Sequence, residues 1–294
     1  MIELKLCVPN DHTSESWFSF INDSLKMVNL EFDDLIVDLN TITFLDTDDI
    51  VALACLLDSF ANSGKKIKFE NGHDSLLTHL DNIKFKNYWN PEFNRDRFTV
   101  TNNDTTLCLW HISKEMIVDY TTYATQYYKG IFKDKDLVLL SLNLTEVFNN
   151  IFDHSYSSVK GYIITEYFPE KNILSFSVCD FGIGIAESMN KYNITINKMQ
   201  TPDSVAIKGA LVTGISSHST PQNRGFGLGN VLDFTENYKG ALTITSNNGC
   251  LRKKFDEDYY LIETDINFLG TLIKVEINTL ELEKIDEEME INEW

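Results

Sequence analysis

The chain has 294 residues, enough for two ordinary domains, and its 43% hydrophobic and 12% aromatic content can fill packed cores, which excludes a disordered chain. The net charge is −19, from 25 Lys and Arg against 44 Asp and Glu. This sign repels phosphate backbones and anionic lipids, so we expect neither nucleic acid nor membrane as a partner, although a local cleft can still hold a nucleotide.

The five cysteines are dispersed, with no CxxC pair of the kind that favours a zinc site. Cys55 and Cys179 stand within apolar runs, where a reduced thiol usually serves as a small core residue. The longest uninterrupted apolar run, residues 50–57, is less than half of a membrane span. These features predict a cytoplasmic protein.

In the first hundred residues, short β-like runs alternate with helical ones. A buried strand is predicted at residues 34–39 and a helix with apolar residues at helical spacing at 49–60. The next strand is predicted at 65–69 and the next helix at 75–83. The β-α-β-α order predicts a small α/β unit with a parallel strand pair.

A stretch rich in Asn, Asp and Arg, residues 91–104, separates this unit from the rest of the chain. It reads as irregular, with strands predicted at 98–101 and 106–112 around an Asn-Asn-Asp turn. We place the domain boundary after it, so that the predicted domains are 1–112 and 113–294.

The second domain is predicted to begin with two helices, 114–130 and 137–154. Two strands, 162–168 and 173–178, follow, and the Pro-Glu-Lys-Asn turn between them predicts an antiparallel hairpin. The remaining predicted elements are a long polar connection at 187–224 with a short helix at 205–211, a helix after Gly229, strands at 241–246 and 271–277, and an acidic tail at 281–294.

A polar stripe runs along the predicted helix 137–154. Glu146, Asn150 and Asp153 fall at i, i+4 and i+7, on one face of a helix that is otherwise apolar. An unpaired carboxylate on a buried helix is costly, so a bound cation or a water-filled cleft would have to satisfy the stripe. A partly exposed amphipathic helix with a solvated face is the alternative.

Two glycine motifs follow this helix. Asp180-Phe-Gly-Ile-Gly184 stands at the end of a predicted strand, where glycines let the backbone approach a ligand and the carboxylate can accept a hydrogen bond from an amine. Asn223-Arg-Gly-Phe-Gly-Leu-Gly229 precedes a helix, whose free N–H groups favour an anion. Each is a weak signal alone, and neither matches the Walker pattern GxxxxGK[ST].

In this order and spacing, the three elements resemble the N, G1 and G2 boxes of the GHKL superfamily, which includes gyrase, heat-shock chaperones, histidine kinases and anti-sigma-factor kinases. The resemblance covers about residues 137–277. It implies a Bergerat fold, an α/β sandwich of a mixed sheet with helices on one face, that binds ATP and magnesium.

The resemblance also implies a role for each matching residue. Asn150 looks like the magnesium ligand, Glu146 like the residue that polarises the attacking water or hydroxyl, and Asp180 like the partner of the adenine amine. The other implied nucleotide-binding residues are Asp153, Gly182, Gly184, Arg224, Gly225, Gly227, Gly229 and Thr271.

The strand-like segment 34–40, the segment Thr41-Ile-Thr-Phe-Leu-Asp-Thr-Asp48 and the predicted helix 49–60 follow one another in the first unit. In this order they resemble a STAS domain, the α/β fold of anti-sigma-factor antagonists, over about residues 1–85. In that family a phosphorylatable serine lies at the start of the helix that matches 49–60, and the matching position here is Asp48, preceded by Thr47. Because a serine kinase cannot phosphorylate a carboxylate, the resemblance implies a permanently phosphate-like charge or a docking and dimerisation surface. An ordinary α/β unit with acidic residues at a helix N-terminus is the alternative.

Three functions fit these resemblances. The first is a magnesium-dependent ATPase that acts as a signalling switch, with residues 187–224 closing as a lid over ATP. The second is a serine/threonine kinase of the anti-sigma-factor type acting on a STAS-like partner, and the third is a non-catalytic nucleotide sensor. Each implies a protein partner, bound through the STAS-like domain or the lid, or a second copy of the chain.

Overall fold

The structure, a computed structural model, describes residues 2–11, 13–94, 105–112, 116–154, 161–211 and 228–285, with only the backbone described at 146 and 148–154. It is a mixed α/β protein with two sheets. The strands are β1 (Glu3–Cys7), β2 (Asp34–Asp38), β3 (Lys66–Glu70), β4 (Thr106–Ile112), β5 (Gly161–Phe168), β6 (Ile173–Asp180), β7 (Ala241–Lys253) and β8 (Tyr260–Asn278). The helices are α1 (Ser14–Leu25), α2 (Thr47–Asn62), α3 (Asp74–Asn82), α4 (Ile117–Ile131), α5 (Val138–His154), α6 (Ile185–Thr195), α7 (Asp203–Ala210) and α8 (Leu228–Asn237).

Strands β1, β2 and β3 form a parallel sheet in that order, which confirms the predicted parallel pair and adds β1 and α1 to it. One face of this sheet carries charged side chains. Lys5 Nζ lies 2.8 Å from Asp38 Oδ2, and Lys68 pairs with Asp34. Hydrogen bonds from Lys5, from the Asn71 side chain and from the Asn40 backbone N–H lower the pKa of Asp38 to about 2. We call residues 2–94 the N-terminal unit.

The second sheet has the order β4-β5-β6-β8-β7, and every neighbouring pair is antiparallel. The predicted β5–β6 hairpin is confirmed, with Phe168 opposite Ile173. The prediction of a mixed sheet was wrong, because all four pairings run in opposite directions. Strand β4 pairs with β5 although it precedes the predicted boundary at residue 112. We call residues 105–285 the C-terminal unit.

Helix α2 has a central segment that is apolar on every side. Residues 50–57 are all 4% exposed or less, and a helix without a polar face needs neighbours all round. Its neighbours are α1 and β3 of the N-terminal unit on one side and the β5, β6 and β8 strands of the C-terminal unit on the other. Helix α2 therefore lies between the two sheets and joins their cores.

The five-stranded sheet is covered on both faces. Strand alternation sends Val178 into the core beneath α4, α5 and α8, and sends Cys179 into the core shared with α1 and α2. The prediction of helices on one face concerned the C-terminal domain, and the described helices of the C-terminal unit do share one core on one face of the sheet. Helices α1 and α2 of the N-terminal unit cover the second face, which is apolar as well, with Tyr162, Ile164 and Phe268 fully buried.

Polar side chains also join the two units at the start of α2. The Thr47 hydroxyl lies 3.0 Å from Ser175 Oγ and 2.7 Å from Ser177 Oγ, and all three residues are fully buried. Asp48 Oδ1 lies 2.9 Å from Lys274 Nζ on β8. The start of α2 therefore faces the C-terminal unit.

A second polar contact between the units joins α3 to β5. His79 Nε2 lies 3.8 Å from Glu166 Oε2, and neither atom has a hydrogen-bond partner among the described residues. Glu166 Oε1 accepts a hydrogen bond from Thr106 at 3.1 Å. Burial raises the pKa of Glu166 to about 7, with a further contribution from the charge of Asp46, and burial lowers the pKa of His79.

This pair makes stability depend on pH. The folded pKa of Glu166, about 7, exceeds its ordinary value of 4.5, so the folded chain holds a proton there that the unfolded chain releases. The contribution of Glu166 to stability is therefore lost as pH rises from about 4.5 to about 7. His79 contributes in the opposite sense. Because its pKa is lowered, its contribution to stability is present at pH values above its ordinary pKa of 6.5 and is lost as pH falls below that value.

We expect Glu166→Gln to remove the Glu166 contribution. Relative to the original chain, the variant should gain unfolding free energy as pH rises from 4.5 to 7, measured by urea denaturation at several pH values. Glu170→Gln, at an exposed position in the β5–β6 turn, is the control. A pH-independent difference between the Glu166 variant and the original chain would contradict this assignment.

Part of the predicted polar connection 187–224 is helical. Helix α6 begins at Ile185, and α7 spans the region where a short helix was predicted. The predicted strand 98–101, and the parts of the lid and tail at 212–224 and 286–294, lie outside the described residues. Among the described residues, no helix combines the length and apolar character needed to cross a membrane.

Candidate functional site

Asp180 ends β6 and is 1% exposed. The Gly182 backbone N–H donates to its Oδ1 at 2.7 Å. Burial raises the pKa of Asp180 to about 7, against the opposing effect of the Gly182 hydrogen bond. A ligand amine that donates to this carboxyl would stabilise its charged form and lower its pKa. The Asp180 carboxyl is therefore suited to accept a hydrogen bond from a neutral donor.

Two glycines close around the Asp180 backbone. Gly184 has φ +83°, and a Cβ there would come within 2.6 Å of Gly270 O, with Ser246 and Asn247 also in the way. Gly270 has φ +90°, and a Cβ there would overlap Asp180 O and lie 2.7 Å from Phe181 Cα. Both glycines are therefore required by backbone conformation and by close packing.

Thr271 lies opposite Asp180 in the β6–β8 pairing and is 2% exposed. Its Oγ1 accepts a hydrogen bond from the Ile185 backbone N–H at 3.3 Å. Thr271 therefore fixes the start of α6, directly after the glycine motif.

Two residues that the sequence did not single out complete this arrangement. Ser246 Oγ accepts from the Ala186 N–H at 3.3 Å, and Asn247 Oδ1 accepts from the Glu187 N–H at 3.2 Å. Together with Thr271, they satisfy three of the N–H groups that a helix start leaves without partners in the helix. The β7 and β8 strands therefore hold the start of α6, directly after the loop 180–184, through side-chain caps.

The sequence carried a signal for α6. Ile185, Ala186 and Met189, all buried, follow the glycine motif at helical spacing. The polar residues of the following stretch obscured it. The caps Ser246 and Asn247 carried no comparable signal, because their contact with α6 spans about sixty positions of sequence.

Gly229, in the first turn of α8, has a packing role in the described structure. A Cβ at this position would overlap the carbonyl oxygen of Leu211, at the end of α7. The side chains of Glu146, Asn150 and Asp153 on α5, together with Arg224, Gly225 and Gly227, lie outside the described residues.

Asn143 extends the polar stripe of α5 by one turn and was not predicted. It is 6% exposed, its Nδ2 donates to Leu139 O at 2.8 Å, and its Oδ1 has no partner among the described residues. Helical spacing places Asn143 on the same face as Glu146 and Asn150. Within the described ranges, no three His, Cys, Asp or Glu side chains are grouped to hold a metal ion.

Comparison with protein-family models finds no match for the chain, and comparison with curated proteins finds none either. The described part of the candidate site consists of a buried carboxyl at a strand end, two glycines without room for a side chain, and a helix start held by three side-chain caps.

Proposed function

We propose that the C-terminal unit is a Bergerat-type ATP-binding domain of the GHKL superfamily, joined to a STAS-like N-terminal unit, and that the protein is a magnesium-dependent ATPase acting as a signalling switch. The observation that carries the proposal is the Asp180 carboxyl, which is 1% exposed and stands at the end of β6, directly before the glycine-bearing loop 180–184. An amine-bearing base needs an acceptor of this kind and a backbone that it can approach closely.

In this proposal Asp180 accepts a hydrogen bond from the adenine amine, and the loop 180–184 lies beside the base. Asn150 holds magnesium and Glu146 orients the attacking water, both on the strength of the sequence resemblance. The polar stripe of α5 consists of residues with oxygen donors, the type of ligand that magnesium prefers. Bound magnesium would supply neutralisation of charge on the phosphate oxygens.

At the position that matches the STAS phosphoserine, the N-terminal unit presents no accessible hydroxyl. Thr47, next to the position that matches the STAS phosphoserine, is fully buried and hydrogen-bonded to Ser175 and Ser177. Asp48, at the matching position itself, pairs with Lys274. Both observations favour hydrolysis over transfer of phosphate to this unit.

The test is incubation of the purified protein with magnesium and ATP labelled on the γ-phosphate. We expect release of free phosphate, and a loss of about 10²-fold or more in Glu146→Ala, the usual scale for removing a group that assists proton transfer. Glu170→Ala, an exposed glutamate of the C-terminal unit, should retain the activity of the original chain.

The label distinguishes the proposal from its alternatives. Label transferred to an added protein would identify a kinase, and bound but unhydrolysed ATP would identify a nucleotide sensor. An absence of ATP binding by the original chain would contradict the proposed site as a whole.

A further inference from the structure

The residues on either side of Asp180 are buried in the contact with the N-terminal unit. Cys179 and Phe181 belong to the core that α1 and α2 share with the five-stranded sheet. Since side chains alternate along a strand, Asp180 points to the opposite face of the sheet. The candidate ligand-binding carboxyl is thus flanked by two anchors that reach the other unit.

The first anchor is a hydrogen bond to the backbone. Cys55, at the centre of α2, donates its Sγ–H to the carbonyl oxygen of Cys179 at 3.2 Å, and both residues are fully buried. The peptide unit that links Cys179 to Asp180 is therefore in direct contact with α2. A displacement of α2 relative to the sheet would disturb the backbone immediately before Asp180.

The second anchor is a row of aromatic rings. The Phe181 and Phe268 ring centroids are 5.9 Å apart, and Phe268 lies 5.0 Å from Phe18 of α1. All three residues are buried, at 6%, 0% and 8% exposure. Close-packed interiors transmit small displacements because they contain few voids to absorb them. The row therefore connects α1 to the residue after Asp180.

We propose that the N-terminal unit regulates the nucleotide site by positioning the loop 180–184, so that nucleotide binding and the packing of α1 and α2 on the sheet stabilise each other. The inference rests on the proposed function of that site. Phe18 and Cys55 are positioning residues in it, since they act through Phe268 and Cys179. Thermodynamic linkage requires the effect to be reciprocal, so nucleotide must protect α1 by the factor with which α1 strengthens nucleotide binding.

The test compares two Phe→Leu variants of the N-terminal unit. Phe18→Leu shortens the row of rings that leads to Phe181. Phe32→Leu is its matched control, because Phe32 has the same 8% exposure but lies outside the row of rings. It packs on Phe60 in the last turn of α2, with ring centroids 6.1 Å apart. Calorimetric titration with magnesium and a non-hydrolysable ATP analogue gives the affinity of each variant, and amide hydrogen exchange reports on α1 and residues 180–187.

We expect Phe18→Leu to weaken nucleotide binding at least about fivefold, the lower end of typical allosteric couplings, and Phe32→Leu to change it less than about twofold. In the original chain, nucleotide should slow exchange in α1, and this protection should shrink in Phe18→Leu. Equal affinity in the original chain and Phe18→Leu, or unchanged exchange in α1, would overturn the coupling alone. Failure of the original chain to bind the analogue would overturn the proposed function.

Discussion

Gly270→Ala is expected to destabilise the folded chain by about 2 to 6 kcal/mol, the sum of left-handed backbone strain and overpacking. Gly270 has φ +90°, and an added Cβ would overlap the carbonyl oxygen of Asp180 and approach Phe181 Cα to 2.7 Å. These are backbone atoms of the neighbouring strand, which cannot rotate away. Urea denaturation of the variant and the original chain measures the difference in unfolding free energy.

Gly64→Ala separates the two contributions. Gly64 has a similar φ of +81°, but a Cβ there meets no atom within 4 Å. We expect this variant to lose only the strain, about 1 to 3 kcal/mol. Equal losses at the two positions would show that the close approach of Gly270 to Asp180 contributes nothing.

If Asp180 binds the adenine amine, as proposed, Asp180→Asn should weaken nucleotide binding by about 10- to 150-fold while leaving the fold intact. The substitution replaces a charged acceptor with a neutral amide, and hydrogen bonds to charged groups contribute about 1.5–3 kcal/mol. The amide oxygen can still accept from Gly182, whose N–H now donates to Asp180 Oδ1 at 2.7 Å. Titration with magnesium and a non-hydrolysable ATP analogue at pH 8 measures the loss.

Asp180→Asn should lower nucleotide affinity without lowering the stability of the nucleotide-free chain. Because burial raises the pKa of Asp180 from 3.8 to about 7, the contribution of this group to stability is lost as pH rises across that interval. Without nucleotide at pH 8, Asp180→Asn should therefore be at least as stable as the original chain. Asp34→Asn, a buried carboxylate of the N-terminal unit paired with Lys68, should leave nucleotide affinity unchanged. Equal affinity losses in both variants would contradict the role of Asp180.

The sequence predicted those helices and strands whose own residues carry a clear local pattern. Strand β2, helix α2 and the parallel pairing with β3 follow from apolar runs and spacing, and the β5–β6 hairpin follows from its turn. Strand β1 and helix α1 were missed although Leu4 and Leu6 alternate and Trp17, Phe18 and Ile21 have helical spacing. Both segments also carry polar residues throughout, which dilute these signals.

The arrangement around Asp180 was predictable only in part. The spacing of Asp180 and Gly184 indicated a ligand site at a strand end. The caps on α6 come from β7 and β8, and the anchors on Cys179 and Phe181 come from α1, α2 and β8. These contacts join residues far apart in the chain, and no local periodicity encodes them. The apolar segment 50–57 of α2 was a sequence feature that required a second neighbour.

The position of α2 between two sheets also has a consequence during synthesis on the ribosome. Its partner strand β6 ends at Asp180, 118 positions after Asn62, the last residue of α2. At a translation rate of about 5–20 residues per second, the second partner of α2 is made roughly 6 to 24 s after the helix itself. During that interval one side of the apolar segment 50–57 has no sheet to cover it. The nascent chain therefore passes through a period in which this side needs a chaperone or a temporary contact.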